Sequence, residues 1–336
     1  MKYKTPEFIH RKGVVLSHEL MPYDSALTFN AGVSRSPDGD GYVMLFRNDY
    51  GFCKKDFDDF YAGISDNTTP KTNLGAAFSP DGVKWNVLDH PVFSLSGKGI
   101  SRAYDPRITA LGNGRYAVCF AVDTVAGVRG GIALTEDFEQ FEVQSISVPE
   151  NRNMVLFPEK INGEYVRLER PFLSGSRSHS IWLSRSPDLV HWGESELLLD
   201  EQTLPYANRK IGPGAPPIKT DRGWLTMIHA VEEQDTPFRS WCRGWTLCYY
   251  GGVMLLDLEN PSKILALAGR PLLVPEEPYE LEGFRGGVIF PGGLVAEPDG
   301  TAKIYYGAAD TVECLAEAKI DDLIDFCLSN NIIDKV

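Results

Sequence analysis

The stretch Ala77-Phe78-Ser79-Pro80-Asp81-Gly82-Val83-Lys84-Trp85 joins the end of an apolar segment to a polar turn and then to an aromatic residue. It recurs as Leu183-Ser184-Arg185-Ser186-Pro187-Asp188-Leu189-Val190-His191-Trp192. A degenerate copy is Ala133-Leu134-Thr135-Glu136-Asp137-Phe138-Glu139-Gln140-Phe141. The centre of each copy is a turn former, because proline presets φ and an Asp side chain can bond backbone two residues further on. The aromatic residue then opens the next strand. Trp85, Phe141 and Trp192 recur at a spacing of roughly fifty residues, room for four short strands per repeat and somewhat longer than a typical β-propeller blade. An ordinary antiparallel sandwich is the competing arrangement. The near-constant spacing favours radial repetition.

Outward from these turns, the segments 41–46, 116–122, 223–229 and 302–307 are short, apolar and bounded by turn residues, which predicts strands. The chain has 32 Gly and 22 Pro, suited to many tight turns. At this period 336 residues make five or six blades. Helical periodicity is scarce. The best stretch is 320–328, with apolar Ile320, Leu323, Ile324 and Cys327 on one face. The length would ordinarily suggest two domains, but closed β architectures also reach this size. No Pro- or Ser-rich linker interrupts the chain, so residues 1–336 are expected to form a single propeller domain.

Hydrophobic residues make up 43% and charged residues 24%, the balance of a globular protein with a sizeable core. The formal net charge of -13 repels nucleic acid and anionic lipid, and no basic run offsets it. Neither partner is expected. The N-terminus carries no apolar signal-like core, and no apolar run approaches the length of a membrane span. Six scattered cysteines form no CxxC pair, which argues against a metal site and for buried free thiols in a reducing, cytoplasmic compartment.

Four segments mix charged groups with glycine or proline at strand edges: Ser101–Thr109, Asn151–Glu159, Val166–Pro171, and Arg209–Pro217 with the strand ending at His229. Asp105 precedes Pro106, which should push its backbone towards an extended form. Taken singly, each has a structural reading: Asp105 as a turn residue, Arg170 as an ion-pair member, His229 as a core histidine.

Together, the string NRNMVLFPEKINGEYV, the Asp105-Pro106-Arg107 turn, Lys210-Ile211-Gly212-Pro213-Gly214, the strand from Trp224 to His229 and Ile304-Tyr305-Tyr306-Gly307-Ala308-Ala309-Asp310 resemble glycoside hydrolase family 130. The similarity runs from about Phe29 to Phe326. It implies an all-β, five-bladed β-propeller with a short C-terminal helix, and an inverting phosphorylase that cleaves β-mannosides with inorganic phosphate to α-mannose 1-phosphate. Asp105 matches the family's general acid, which acts through a hydroxyl of the mannosyl unit. Arg152, Arg170, Lys210 and His229 match phosphate-holding positions. Asn30, Arg47, Asp49, Tyr249 and Asp310 resemble positions lining the mannosyl pocket, and Glu280 falls at a matching acidic position. The implied partners are a β-mannoside and phosphate as co-substrate, with no metal or organic cofactor. The resemblance leaves room for a homo-oligomer.

The residue inventory agrees with phosphorolysis. An inverting hydrolase needs an acid and a second carboxylate that activates water. Phosphate is already anionic, so it needs cations to hold it in line, and Arg offers a bidentate fork. One acid with two Arg, a Lys and a His is that inventory. A phosphate-independent β-mannosidase should have lost several of the cations and gained a base, and a non-catalytic glycan-binding propeller needs neither. Compared with the β-1,4-mannooligosaccharide branch, Gly287 stands where Asn is frequent and Gly292 where Cys is frequent, and Glu232–Arg243 finds no counterpart. These departures leave linkage and acceptor open.

Overall fold

The computed structural model describes residues 2–65, 70–97, 99–172 and 179–333. Apart from one short parallel pair, its described strands form five antiparallel sheets set around an axis, and each of the five is one blade of a propeller. From the axis outward, blade 1 runs Leu27–Arg35, Tyr42–Tyr50, Lys71–Ser79 and Asn86–Val87, and blade 2 runs Ile100–Gly112, Arg115–Thr124, Gly127–Thr135 and Glu142–Ile146. Blade 3 runs Asn151–Leu156, Tyr165–Pro171, Ile181–Ser186 and Gly193–Leu199. Blade 4 runs Lys210–Pro213, Gly223–Glu233, Leu247–Leu256 and Ile264–Leu267, with Ile218–Thr220 as an extra strand. Blade 5 takes Ile289–Ala296, Thr301–Ala308 and Val312–Lys319, and its outermost strand is His10–Leu16, pairing with Val312–Lys319. The ring is thus closed by hydrogen bonds between the two ends of the described chain.

Side-chain alternation along a strand explains the packing, since successive residues face the two neighbouring blades. In Tyr42–Tyr50, Val43 and Leu45 join the core shared with blade 2, while Met44 and Phe46 join the core shared with blade 5. In Gly223–Glu233, Leu225 and Met227 face blade 5, and Trp224 and Ile228 face blade 3. Both faces are covered, so these strands read as apolar runs instead of alternating patterns. The helix Ile320–Ser329 buries Leu323, Ile324, Phe326 and Cys327 against blades 4 and 5, close to the expected boundaries.

The three repeated turns share one hydrogen-bond pattern. Ser79 Oγ accepts from Gly82 N (2.8 Å), and Asp81 Oδ1 accepts from Val83 N and Lys84 N. Thr135 and Asp137 do the same for Phe138, Glu139 and Gln140, and Ser186 and Asp188 for Leu189, Val190 and His191. The residue after each Asp has positive φ: Gly82 at 74°, Phe138 at 61° and Leu189 at 69°. Side-chain bonds to the turn amides hold the left-handed conformation that Phe138 and Leu189 would otherwise avoid. Each turn links the third and fourth strands of its blade, and Trp85, Phe141 and Trp192 stand immediately before those fourth strands.

Candidate active site

At the axis the inner strands are interrupted. Blade 1 shifts register between Phe29 and Gly32, blade 2 between Tyr104 and Arg107, blade 3 between Arg152 and Val155, and blade 5 between Pro291 and Gly293. In three of these bulges one residue is left-handed: Asn30 (φ 54°), Asp105 (φ 54°) and Asn153 (φ 56°). Asn and Asp enter that region more readily than other side chains, and bulges re-aim side chains beside functional sites. The backbone of Asp105 is therefore left-handed and not extended: the bulge overrides the preference imposed by Pro106. Asn30, Asp105 and Asn153 all line one axial cavity of about 930 Å³.

Asp105 Oδ1 accepts from Asn30 Nδ2 (3.0 Å) and lies 3.4 Å from Arg47 Nη1. Its side chain keeps 13% exposure, enough to meet a ligand. Arg47 is fixed from behind by Asp49, with Nε to Oδ1 at 2.9 Å and Nη2 to Oδ2 at 2.6 Å, and Thr72 Oγ1 also donates to Asp49. Burial opposes the charge on Arg47, but Asp49 and Asp105 outweigh it and raise its pKa. Asp49 itself is fully buried and does not reach the cavity. It stands behind Arg47, outside the cavity lining where the sequence had placed it.

The four cationic candidates come from blades 3 and 4 and line the same cavity as Asp105. Arg152 and Arg170 are direct cross-strand partners. Like charges placed opposite one another repel, and Lys210 adds a third. Burial, then Arg170 and Arg152, push the Lys210 pKa well below its ordinary value. Burial and Arg152 likewise push the Arg170 guanidinium down to about 9. The Nε atoms of Arg152 and Arg170 are buried without a hydrogen-bond partner among the described residues. Grouped cationic donors of this kind suit an anion. His229 differs from the other three. Its Nδ1 donates to the Pro213 carbonyl (3.0 Å), which leaves Nε2 to accept from Arg170 Nη1 (3.0 Å). Burial, Arg170 and Lys210 hold it neutral by pushing its pKa well down.

Tyr249 and Asp310 also line the cavity, and Asp310 Oδ2 pairs with Arg285 Nη1 at 3.0 Å. Glu280 is placed elsewhere. It is fully buried, bonds Arg11 Nε (2.8 Å) and Tyr306 Oη (2.8 Å), and accepts from the Glu276 and Glu277 amides. It ties the N-terminal strand to blade 5 and stands outside the cavity lining. Two cavity residues had no sequence signal beyond their neighbours. Arg285 holds Asp310. The Tyr104 hydroxyl donates to Asp123 Oδ1 (2.7 Å) and accepts from Arg152 Nη1 (3.3 Å), linking Arg152 to blade 2. Tyr104 directly precedes Asp105, which was the available hint.

The departures at the two glycines have local causes. Gly287 is left-handed (φ 75°), a region shared by Gly and Asn, but a Cβ there would meet the Phe238 ring at 2.5 Å. A Cβ on Gly292 would stand 2.0 Å from the Ala31 carbonyl oxygen. Phe238 belongs to the segment Glu232–Arg243. Within it, Arg239–Ser240 pairs in parallel with Glu282–Gly283, and Trp241 packs on Phe52, Phe57 and Phe284. The segment thus bridges blades 4 and 1 beside the cavity, where Cys242 contributes to the lining. Among the described residues, no group of three or more His, Cys, Asp or Glu could hold a metal ion, and no helix is long and apolar enough to cross a membrane.

A polar axial cavity on five blades, in which Asp105 shares the lining with a cluster of cations, is the setting of a carbohydrate-active enzyme. A family model described as beta-1,4-mannooligosaccharide phosphorylase matches residues 43–329, and the chain belongs to glycoside hydrolase family 130. It is 34% identical over 292 residues to the beta-1,4-mannooligosaccharide phosphorylase of Ruminococcus albus, covering 81% of each chain. It is 37% identical over 221 residues to the beta-1,2-mannobiose phosphorylase of Listeria innocua, a match that spans 66% of this chain and 58% of that protein. The solved structure of the Listeria innocua beta-1,2-mannobiose phosphorylase with beta-1,2-mannobiose superposes with a TM-score of 0.77 at 26% identity, covering 96% of this chain and 99% of that one.

Proposed function

We propose that this chain is an inverting phosphorylase of β-mannosides. The observation that carries the reading is the cluster of Arg152, Arg170 and Lys210 in one cavity with Asp105, where the Nε atoms of the two arginines are buried without a hydrogen-bond partner among the described residues. A phosphate oxygen bonds to the anomeric carbon as the bond from that carbon to the glycosidic oxygen breaks. The departing oxygen takes the Asp105 proton, relayed by a mannosyl hydroxyl. Asn30 and Arg47 orient the acid, and His229 serves the phosphate site by holding Arg170. Among the described residues, the other carboxylates lining the cavity are engaged: Asp310 by Arg285, and Asp123 by Arg102 and Tyr104. That supports phosphate over a base-activated water. The names of the relatives support β-1,2- or β-1,4-linked mannosides as substrates. Residues 1–336 act as one catalytic unit in this reading, and six scattered cysteines with no CxxC pair support a reducing, cytoplasmic setting.

The test incubates the protein with β-1,2- and β-1,4-mannobiose, with and without phosphate, and follows products by proton NMR. Phosphate-dependent α-mannose 1-phosphate is the expected result. Mannose released equally without phosphate makes the protein a hydrolase and overturns the proposal.

A further inference from the structure

Beneath the cavity lies a charged group with no role in the chemistry above. Arg107 is fully buried and has no carboxylate within ion-pair distance among the described residues. Its guanidinium instead donates to four carbonyl oxygens: Nε to Gly214 (2.7 Å), Nη1 to Asn30 (3.2 Å) and Pro106 (2.7 Å), and Nη2 to Pro291 (3.4 Å). Those carbonyls belong to the inner edges of blades 1, 2, 4 and 5. A buried guanidinium is costly unless its donors are satisfied. Here the backbone satisfies them, and one side chain fastens four blades at the axis.

One of the four bonds matters most. The Asn30 carbonyl that accepts from Arg107 shares its peptide unit with the Ala31 amide, and that amide donates to Glu313 Oε2 at 3.0 Å. A cationic donor grips the oxygen end of this peptide and a carboxyl group grips the N–H end, so its orientation is held from both sides. Packing adds to the hold, since a Cβ on Gly292 would strike the Ala31 carbonyl oxygen and one on Gly307 would lie 2.2 Å from Asn30 Oδ1. The gripped residue is the left-handed Asn30, whose side chain donates to Asp105. Neither Arg107 nor Glu313 lines the cavity.

We propose that Arg107 and Glu313 are positioning residues for the catalytic acid: together they fix the Asn30–Ala31 peptide, and through it the Asn30 side chain against Asp105. The proposal rests on Asp105 being the acid. Arg107→Lys keeps the charge but cannot span four carbonyls. Misplacement of a reacting group by about 1 Å can cost on the order of 100-fold, so kcat should fall roughly 10- to 100-fold. KM for phosphate should change less than about threefold, because no cluster cation bonds Arg107. In an Asn30→Ala background the same substitution should cost only a few-fold more, since its effect passes through Asn30. Glu313→Leu should lower kcat in the same way, and Glu313→Gln, which keeps an acceptor for Ala31, should restore most of the loss. This second pair carries the test if Arg107→Lys does not fold. A crystal structure of either damaging variant reads the placement without reference to the reaction: the Asn30–Asp105 contact should be lost. If that contact persists, or the effects of Arg107→Lys and Asn30→Ala multiply in full, the proposal is overturned. Turnover without phosphate would instead overturn the phosphorylase reading and leave this result standing.

Discussion

Arg170 and His229 meet at 3.0 Å, and the direction of that bond sets the role of the histidine. With Nδ1–H committed to the Pro213 carbonyl, Nε2 is an acceptor, so His229 orients a cation and is not itself one. A hydrogen bond to a charged group contributes about 1.5–3 kcal/mol. His229→Phe keeps the ring and removes the acceptor. Initial-rate kinetics should show KM for phosphate rising roughly 10-fold or more, with KM for the mannoside changing much less. Equal rises in both constants would place His229 in the general packing of the site.

The cross-strand pair Arg152 and Arg170 leads to a second expectation. Two facing guanidinium groups whose buried Nε atoms have no partner among the described residues are relieved by an anion. Saturating phosphate should therefore raise the melting temperature of the wild type, by linkage between binding and folding. In Arg170→Ala that shift should shrink sharply while the shift given by a mannoside remains. Differential scanning fluorimetry with each ligand separates the two.

Lys210 supplies a proton-coupled version of the same argument. Burial, Arg170 and Arg152 depress its pKa, so an anion placed among the three must raise it again. Binding should take up a proton. Sulfate is the better probe, because it does not titrate near neutral pH. Calorimetry in buffers of different ionisation enthalpy should show uptake for the wild type and less for Lys210→Met. Identical proton counts in both would assign the coupling to another group.

Much of the fold was legible because its signals are local. The turns at Ser79–Asp81, Thr135–Asp137 and Ser186–Asp188 are made by side chains bonding amides two or three residues away, and such motifs survive in any single sequence. The apolar strands were equally plain. The site was legible only as residue types, because Asp105 and Lys210 are brought together by the ring and not by spacing. Reasoning from sequence placed Asp49 and Glu280 with the ligand-facing residues, although burial puts one behind Arg47 and the other in a cap near the N-terminal strand. Tyr104, Arg285 and Arg107 gain their roles from partners in other blades or distant loops, which no local pattern records.

The geometry at Asp105 fixes the expected outcome for the proposed acid. Asp105→Asn preserves the shape and the left-handed backbone, since Asn tolerates positive φ as well as Asp does. The fold and melting temperature should be retained. Turnover of an unactivated β-mannoside should fall by the roughly 100- to 10,000-fold typical of a lost general acid. Near-normal turnover by the folded variant would remove Asp105 from the mechanism.

Glu313 gives the protein a pH dependence whose sign can be worked out. The carboxyl is fully buried, and its Oε1 has no hydrogen-bond partner among the described residues. Burial pushes its pKa up to about 8 from an ordinary value of 4.5, against the Ala31 and Asn30 amides and Arg107, which favour the anion, while Asp105 disfavours it. A folded-state pKa above the unfolded value means that the native state holds its proton more tightly. Between pH 4.5 and 8 the unfolded chain ionises at Glu313 while the native state keeps the proton. The stability from this group is therefore fully present below 4.5, declines as pH rises, and is exhausted once the native state ionises as well near 8. Glu313→Gln carries a neutral side chain at every pH and lacks this slope. Urea unfolding at pH 5 and pH 8 should show the wild type losing more stability than Glu313→Gln over that interval. Equal losses in the two proteins would mean that Glu313 is ionised in the native state throughout, with its charge neutralised by Arg107.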